Sequence, residues 1–374
     1  MDLNHMLTKL IEKNDLTTEE ARYAMEFMTS EDCRENSASI GAILALLSSK
    51  GESVQEVTTF AECLREKGVP ISISNSETLL DIVGTGGDGA QTVNISTAAA
   101  ILVASCGAKV AKHGNRSVSS RSGSADVLEE MGIPMLSDPN DIISCLHHAR
   151  ITFIYAPHFH PSMKHIAPIR KSMKIRSIFN ILGPLINPAR CSRVVIGVYT
   201  PKLLELFGHC IEGLGVDHGL IVHCAGLDEL NSLGAPAEIV EVRKGRPIQR
   251  YQLRHEDVGV PSATSIECLR GGTAEENAHI IKRILSGKWQ ESETILAHTI
   301  AYNAGAGLYV YGLAESIQQG YQRAMDKLVQ GAAIDTLQAW QAAAGRTYVK
   351  SALVAFVETA FTPPQVRLDT EGHI

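Results

Sequence analysis

The arrangement of apolar runs restricts the fold more than any other feature of this chain. Up to about residue 70, apolar residues recur at helical spacing, as in Leu3, Leu7 and Leu10, without strand-like alternation. From residue 79 onward, short apolar runs alternate with helical stretches, beginning with LLDIV before the glycine-rich GTGGDG. Strands that alternate with helices form a mostly parallel sheet covered by helices. The pattern therefore predicts an α/β fold, in which a small all-helical N-terminal domain precedes a larger, mostly parallel α/β domain.

Further apolar runs and one interruption give the expected domain limits. Strand candidates follow at KVAKHG, TFIYAP, RVVIGVY, GLIVHCA and EIVEV, and a helical, basic segment interrupts them. The predicted units are a helical domain at 1–75 with an inserted helical segment at about 165–190, an α/β domain at 76–164 and 191–360, and a flexible polar tail at 361–374.

Composition argues against several classes of protein. The 374 residues carry 34 basic and 41 acidic side chains, a formal net charge of −7, and no long basic stretch, so a nucleic-acid partner is not expected. No run of eighteen apolar residues could cross a membrane, and the amphipathic, acidic first 25 residues do not resemble a secretory signal. Eight scattered cysteines without a CxxC pair are typical of a reducing compartment. We therefore expect a cytoplasmic protein that binds neither nucleic acid nor membranes.

A glycine-rich loop follows the first predicted strand. Gly84, Gly86 and Gly87 let backbone amides approach a ligand and can form an anion-binding nest. The loop lacks the Gly-Lys-Ser/Thr of a Walker A motif, and no helix begins at once after it, as the dinucleotide-binding fingerprint requires. Asp88 would repel a phosphate unless it binds a sugar hydroxyl or orients metal-bound water. Taken alone, the loop is more typical of a tight turn that needs positive φ angles.

Two donor-rich segments follow this loop. Asn94, Ser96 and Thr97 lie at the start of a predicted helix, where they either cap free amides or help to place a phosphate at the positive helix end. The segment from Lys112 to Asp126 concentrates cations, small hydroxyls and glycines without apolar periodicity. That composition favours polyphosphate binding over a purely structural loop.

An acidic pair, Asp228 and Glu229, follows the predicted strand GLIVHCA. The carboxyl edge of an α/β sheet is where such folds present functional loops. Two adjacent carboxylates beside a polyphosphate would need a hard divalent cation between them and the substrate, and magnesium suits oxygen ligands. From the pair alone, an exposed acidic turn is an equally good interpretation.

Together these segments resemble the anthranilate phosphoribosyltransferase family. The motifs that carry the resemblance, in the family's order, are GTGGD (84–88), NIST (94–97), KHGNRSVSSRSGSAD (112–126), FHPSMKHIAPIR (159–170), SIFNILGPLINPAR (177–190) and AGLDEL (225–230). Family-like sequence extends from residue 16 to about 350. The departures are Lys174 where glycine is common, Ser177 where threonine is, and Asn231 where a serine usually follows the acidic pair.

The resemblance implies magnesium-dependent transfer of phosphoribose from 5-phosphoribosyl 1-pyrophosphate (PRPP) to the amine of anthranilate, the second step of tryptophan biosynthesis from chorismate, in a homodimer. It implies contacts with PRPP at Gly84, Gly87, Asp88, Thr92, Asn94, Ile95, Ser96, Thr97, Lys112, Asn115, Ser117, Ser119, Ser120 and Ser124. It implies contacts with anthranilate at Gly84, His113, Asn115, His160, Arg170 and Gly183, and contacts with Mg²⁺ at Ser96, Asp228 and Glu229. Positioning and charge neutralisation would supply most of the acceleration, so we predict no nucleophile and no catalytic base.

Three questions stay open at this point. A histidine beside a glycine loop is about as often a structural donor as a substrate contact, which applies to His113 and His160. A pyrimidine-nucleoside phosphorylase would share this architecture, although its group has a KHS-type loop where this chain has KHGNR. A catalytically silent sensor of phosphoribosyl ligands would also share the fold, but it is expected to lack the acidic pair.

Overall fold

A computed structural model describes residues 2–74, 77–117 and 121–346. Among these residues, none of the helices combines the length and the apolar character needed to cross a membrane. All eight cysteines lie in described ranges and none forms a disulfide. The location in the cytoplasm stays a prediction, and the tail at 361–374 lies outside the described residues.

The N-terminal part, as described up to residue 74, is built from helices. Its α-helices are α1 (Leu3–Ile11), α2 (Thr18–Met28), α3 (Ser37–Lys50) and α4 (Val54–Lys67), with a 3₁₀ turn at Glu31–Cys33. Thr17 and Ser53 begin α2 and α4 with complete capping boxes, in which the residue three positions on, Glu20 or Glu56, accepts the N-cap amide. Buried apolar residues at helical spacing pack these helices together, as the periodicity of the sequence predicts.

A seven-stranded sheet forms the centre of the larger part. Its strands are β1 (Leu80–Gly84), β2 (Val110–Gly114), β3 (Ile151–Tyr155), β4 (Arg193–Gly197), β5 (His218–His223), β6 (Ala237–Arg243) and β7 (Gln249–Leu253). The strand order is β3-β2-β1-β4-β5-β6-β7, with parallel pairing from β3 to β5 and antiparallel pairing at β6 and β7. Strand β1 lies between β2 and β4. After β1 the chain adds β2 and β3 on one side of it, and then adds β4 on the other side. The carboxyl ends of β1 and β4 therefore form a topological switch point, where ligands bind in open α/β sheets.

Helices cover this sheet. They are α5 (Ile95–Ser105), α6 (Ser124–Glu130), α7 (Pro139–Ala149), α8 (Ala156–Phe159), α9 (Met163–Met173), α10 (Leu203–Gly213), α11 (His255–Val258), α12 (Ala274–Leu285), α13 (Thr294–Tyr311) and α14 (Ile317–Val329), with a further helical run at 333–346. Helices α5 and α13 are buried almost all round and pack against each other and the sheet. Their alanine and glycine residues allow this close approach.

The predicted fold class is confirmed, and six of the seven strands of this sheet coincide with the apolar runs. The strand that the sequence pattern missed is β7, whose QRYQL is polar and largely exposed. Among the described strands it pairs only with β6, so it lies at the edge of the sheet. An edge strand of this kind needs no apolar run, so no strand signal marks it.

The inserted segment packs on the N-terminal helices. Helix α9 contacts α3, where a Cβ added at Gly41 would lie 3.9 Å from the Met173 sulfur. The thiol of Cys33 also lies 3.7 Å from the carbonyl oxygen of His165. These contacts support the predicted division of the chain, whose limits stay a prediction.

Candidate active site

One large cleft lies at the carboxyl ends of the parallel strands, with a volume of about 1030 Å³. Its floor is formed by the loops after β1 and β2, the start of α5 and the acidic pair after β5. Its opposite wall is α9 with the following segment up to Ile186. The sheet's switch point and the inserted segment therefore face each other across a single cavity.

Most of the residues predicted from the sequence line this cleft. They are Gly84, Gly87, Asp88, Thr92, Asn94, Ser96, Thr97, Lys112, His113, Asn115, Ser117, Ser124, His160, Arg170, Gly183, Asp228 and Glu229. The side chain of Ile95 is buried away from it, and its amide donates to the Val93 carbonyl. The predicted contacts Ser119 and Ser120 lie outside the described residues.

The glycine loop is a tight turn that also faces the cleft, so its two interpretations are compatible. Gly86 and Gly87 have φ angles of 65° and 80°, which favour glycine. The Thr85 amide donates to the Gly197 carbonyl over 2.9 Å, which anchors the loop to the end of β4. The Asp88 carboxylate accepts the Ala90 amide at 3.0 Å and closes the turn.

The start of α5 is not capped in the way its sequence suggests. Asn94 occupies the N-cap position, but its side chain donates to the Ser122 carbonyl (3.1 Å) and accepts from the Asn277 amide group (3.0 Å). The Ser96 amide instead donates to a carboxylate oxygen of Glu229 over 3.2 Å. The Thr97 hydroxyl is buried and has no hydrogen-bond partner among the described residues. This helix end therefore retains donors for an anionic ligand.

Lys112 brings a buried positive charge to the floor of the cleft. Its ammonium group donates to the Ile82 carbonyl at 2.6 Å and to the Ser96 hydroxyl at 3.3 Å. Burial lowers the pKa of Lys112, and the carboxylates of Asp81 and the acidic pair oppose that shift. Asp81 is itself fully buried below the site, and burial raises its pKa to about 6.

Part of the donor-rich segment at 112–126 serves the loop itself. The Asp126 carboxylate accepts the backbone amides of Ser117 and Gly123 at 3.1 and 2.8 Å. Arg116 forms ion pairs with Asp126 and Glu129 at 3.0 and 2.6 Å, so its charge is already compensated by α6. Fewer cations of this segment are therefore available to bind a phosphate than its composition suggests.

Asp228 and Glu229 are both buried in the cleft floor, which rules out the exposed acidic turn. One oxygen of Asp228 accepts the Gly86 amide at 2.7 Å, while the second oxygen of Glu229 has no partner among the described residues. Burial, followed by the nearby Asp88 carboxylate, raises the pKa of Asp228 to about 7. Burial and the Asp228 charge raise the pKa of Glu229 well above its ordinary value. Two ionised carboxylates at this position are therefore stable only with a cation.

These oxygens fit Mg²⁺ better than they fit a metal held by protein alone. No group of three His, Cys, Asp or Glu side chains converges as a metal site in the described part of the chain. Magnesium is commonly held by one or two carboxylates together with substrate phosphates and water. A buried carboxylate pair with one unpartnered oxygen, in contact with the Ser96 amide, meets that requirement.

The opposite wall carries a cation, Arg170, that is not paired with a carboxylate. Its guanidinium lies 5.1 Å from the centre of the Phe179 ring and forms no ion pair with any described residue. Burial lowers its pKa. A half-buried guanidinium of this kind is suited to a bidentate anionic partner such as a carboxylate.

The rings of His113 and His160 pack edge to face beneath this wall, with centres 5.3 Å apart. The Nδ1 atom of His113 lies 3.1 Å from the Gly183 carbonyl, which can only accept, so Nδ1 carries the proton. Burial lowers the pKa of His113 to about 3 and that of His160 to about 4, so both rings are neutral at pH 7. The Nε2 atom of His113 is buried with no partner among the described residues, which leaves it free to accept a hydrogen bond.

Two further residues of the cleft were missed by sequence reasoning. Arg176 reaches the glycine loop, where it donates to the Gly87 carbonyl, and its guanidinium lies 4.2 Å from the centre of the Tyr199 ring. Tyr199 follows β4, so its place at the carboxyl edge of the sheet was an available signal. Arg176 offered none, since it is one of several cations in the basic segment.

Both parts of the chain resemble known proteins. Residues 76–334 match the family model "Glycosyl transferase family, a/b domain", and residues 4–68 match "Glycosyl transferase family, helical bundle domain". An anthranilate phosphoribosyltransferase from Shewanella sp. (strain ANA-3) is 42% identical over 305 residues, which are 81% of this chain and 86% of that protein. The chain belongs to the anthranilate phosphoribosyltransferase family.

Solved structures of anthranilate phosphoribosyltransferases share the fold. The crystal structure of the Thermus thermophilus enzyme superposes with a TM-score of 0.83 at 38% identity and covers 91% of this chain and 99% of that one. The enzyme from Saccharomyces cerevisiae in complex with PRPP and Mg has a TM-score of 0.83 at 24% identity and covers 92% of this chain and 98% of that one. The second likeness supports the fold alone. The predicted family is thus confirmed.

Two departures from the anthranilate phosphoribosyltransferase pattern have clear structural consequences. Lys174 ends α9 in the left-handed conformation (φ 52°), which explains why glycine is common there in the family. Asn231 donates to the carbonyls of Cys224 and Glu229 at 2.7 and 3.1 Å. Its amide therefore closes the turn that presents the acidic pair.

Proposed function

We propose that this chain transfers phosphoribose from PRPP to the amine of anthranilate, giving N-(5′-phosphoribosyl)anthranilate and pyrophosphate. The observation that carries the proposal is the composition of one cleft. Its floor combines a glycine loop, the start of α5 and a buried acidic pair, and its opposite wall holds Arg170, which pairs with no described carboxylate. A polyphosphate with bound metal suits the floor, and an aromatic carboxylate suits the wall.

The floor residues would bind PRPP. Backbone amides of the glycine loop, the hydroxyls at the start of α5 and the Lys112 charge are donors for its phosphates. The proposed contacts are Gly84, Gly87, Asp88, Thr92, Asn94, Ile95, Ser96, Thr97, Lys112, Asn115, Ser117 and Ser124. Ile95 stays a prediction, since its side chain lies in the core and its amide already donates to the Val93 carbonyl. Ser119 and Ser120, outside the described residues, stay predictions.

Ser96, Asp228 and Glu229 would hold Mg²⁺ together with oxygens of PRPP. When bound, the ion would neutralise charge on the departing pyrophosphate, which stabilises the transition state. Asp228 and Glu229 are already oriented for this role by the Gly86 and Ser96 amides. The chain's own residues therefore preform the carboxylate side of the site.

The wall residues would position anthranilate. Arg170 would bind its carboxylate, and the neutral Nε2 atom of His113 would accept a hydrogen bond from its amine. His160, Gly183, Gly84 and Asn115 would complete the contacts around the ring. Because an aromatic amine attacks a ribosyl centre from which pyrophosphate is leaving, orientation of the two substrates supplies most of the acceleration. No nucleophilic side chain is required.

Arg170→Ala is expected to raise the KM for anthranilate and to leave the KM for PRPP nearly unchanged. Loss of a charge-assisted pair in a desolvated site costs roughly 2–5 kcal/mol, which is about 30-fold or more in affinity. Initial-rate measurements with each substrate varied in turn test this expectation. Lys171→Ala removes a cation from the exposed face of the same helix and is the matched control. A parallel rise of both KM values would contradict the assignment.

We also propose that the chain forms a homodimer through its N-terminal helices. Ile11 at the end of α1 is two-thirds exposed, and Leu3 and Leu7 on the same helix are only partly buried. An apolar surface on so small a helical unit favours association. Light scattering at micromolar concentration is expected to give about 81 kDa, twice the 40.4 kDa of one chain. A mass of one chain would contradict the dimer.

The principal alternative is a nucleoside phosphorylase of the same fold. Such an enzyme needs a site for inorganic phosphate and a nucleoside, and it does not need a buried acidic pair for metal. Turnover of anthranilate with PRPP and Mg²⁺, compared with turnover of a pyrimidine nucleoside with phosphate, separates the two functions. The acidic pair also argues against a silent ligand sensor.

A further inference from the structure

Arg176 joins the two sides of the cleft. Its backbone belongs to the segment after α9, which packs on the N-terminal helices, while its side chain reaches the glycine loop of the α/β part. One guanidinium nitrogen donates to the Gly87 carbonyl, and the guanidinium lies over the Tyr199 ring at 4.2 Å. A planar cation between a carbonyl and an aromatic face is oriented by both.

The carbonyl that Arg176 binds belongs to the Gly87–Asp88 peptide, whose plane could otherwise flip. Gly87 has a φ of 80°, follows another left-handed glycine and lacks a Cβ, so its ψ angle meets little steric restriction. In a planar trans peptide, the carbonyl of one residue and the amide of the next point in opposite directions. Fixing the Gly87 oxygen therefore also fixes the direction of the Asp88 amide.

Neighbouring contacts hold the rest of the loop in place. The Gly86 amide donates to Asp228 at 2.7 Å, and the Thr85 hydroxyl accepts the Tyr199 amide at 3.1 Å. Tyr199 thus carries the ring that orients Arg176 and also binds the base of the same loop. The Gly87–Asp88 peptide follows these anchored residues in the loop. Among the described side chains, Arg176 binds it through the Gly87 carbonyl.

We propose that Arg176 is a positioning residue that fixes the Gly87–Asp88 peptide, so that the glycine loop is preorganised for the pyrophosphate of PRPP before substrate binds. The identity of the ligand rests on the function proposed above, whereas the effect on the loop does not. The inserted segment would then help to bind both substrates. Arg170 would bind the acceptor directly, and Arg176 would act on the donor by fixing the glycine loop.

The test combines hydrogen exchange of the ligand-free protein with steady-state kinetics of Arg176→Ala. We expect amides at residues 86–90 to exchange faster in the variant by about tenfold, the effect of losing one hydrogen bond to a charged group. We expect the KM for PRPP to rise by a similar factor and the KM for anthranilate to stay within about twofold. Arg176→Lys keeps one donor but loses the planar stacking, so it is expected to recover part of both effects.

Matched variants separate this role from others. Tyr199→Leu removes the aromatic face over which the guanidinium lies and is expected to resemble Arg176→Lys. Lys171→Ala controls for loss of a nearby cation. A rise in the KM for PRPP with unchanged exchange would mean that Arg176 contacts the substrate directly, and unchanged exchange in any case overturns the proposal. If the wild type failed to use PRPP at all, the proposed function would be wrong, while the exchange result would still decide the role of Arg176.

Discussion

Replacing Asp228 by Asn and Glu229 by Gln is expected to reduce magnesium-dependent turnover by at least about 100-fold while leaving the fold intact. A metal ion contributes several kcal/mol to the stabilisation of transition-state charge, and each ~1.4 kcal/mol corresponds to tenfold in rate. The amide oxygens of Asn and Gln can still accept the Gly86 and Ser96 amides. The change therefore removes charge and metal affinity without opening the loop.

Thermal unfolding distinguishes this loss from misfolding. In the absence of metal, the double variant is expected to melt no lower than the wild type, because two buried carboxylates that repel each other have been neutralised. Magnesium with PRPP is expected to raise the melting temperature of the wild type and not that of the variant. Near-normal turnover of the double variant at limiting magnesium would refute the metal role.

Gly197→Ala is expected to have the second largest effect, on both stability and turnover. Gly197 ends β4, and an added Cβ would overlap the carbonyl oxygen of Asp228. Because this oxygen belongs to the backbone, a change of side-chain rotamer cannot relieve the overlap. Overpacking of this kind costs about 1–3 kcal/mol. The displaced backbone carries the acidic pair, so turnover is expected to fall by about tenfold or more, beyond what the loss of stability explains.

Gly41→Ala is the matched control for that variant. Gly41 lies within α3, where an added Cβ would meet only the Met173 sulfur at 3.9 Å, an ordinary contact. The substitution is expected to stabilise the helix by up to about 1 kcal/mol. Urea unfolding and initial rates of both variants check the pair. Wild-type stability and turnover in Gly197→Ala would show that the acidic turn does not depend on close contact with β4.

The sequence predicted those parts of the structure that depend on local pattern. Buried parallel strands appear as apolar runs, and glycines with donor-rich loops follow them, so β1 and its loop were recognisable. The polar edge strand β7 carried no such signal. Pairing partners were also hidden: Arg116 is neutralised by Asp126 and Glu129, so it is not one of the free cations that the composition of 112–126 suggested.

Contacts between distant segments account for the rest of what sequence reasoning missed. The sequence around Asn94 indicates a helix cap. Its side chain instead forms hydrogen bonds with Ser122 and with Asn277, which is 183 positions away from Asn94. Arg176 reaches Gly87 across 89 positions. No local spacing encodes such pairs, because they arise only when the inserted segment and the late helices fold back over the sheet.

The most direct test of the central claim follows anthranilate fluorescence in a mixture of the protein, PRPP and Mg²⁺. We expect the fluorescence to fall at a rate proportional to protein concentration, and to stay constant when PRPP or Mg²⁺ is omitted. Mass spectrometry should then show N-(5′-phosphoribosyl)anthranilate and pyrophosphate in equal amounts. Constant fluorescence in the complete mixture, together with phosphorolysis of a pyrimidine nucleoside by the same preparation, would contradict the proposed function.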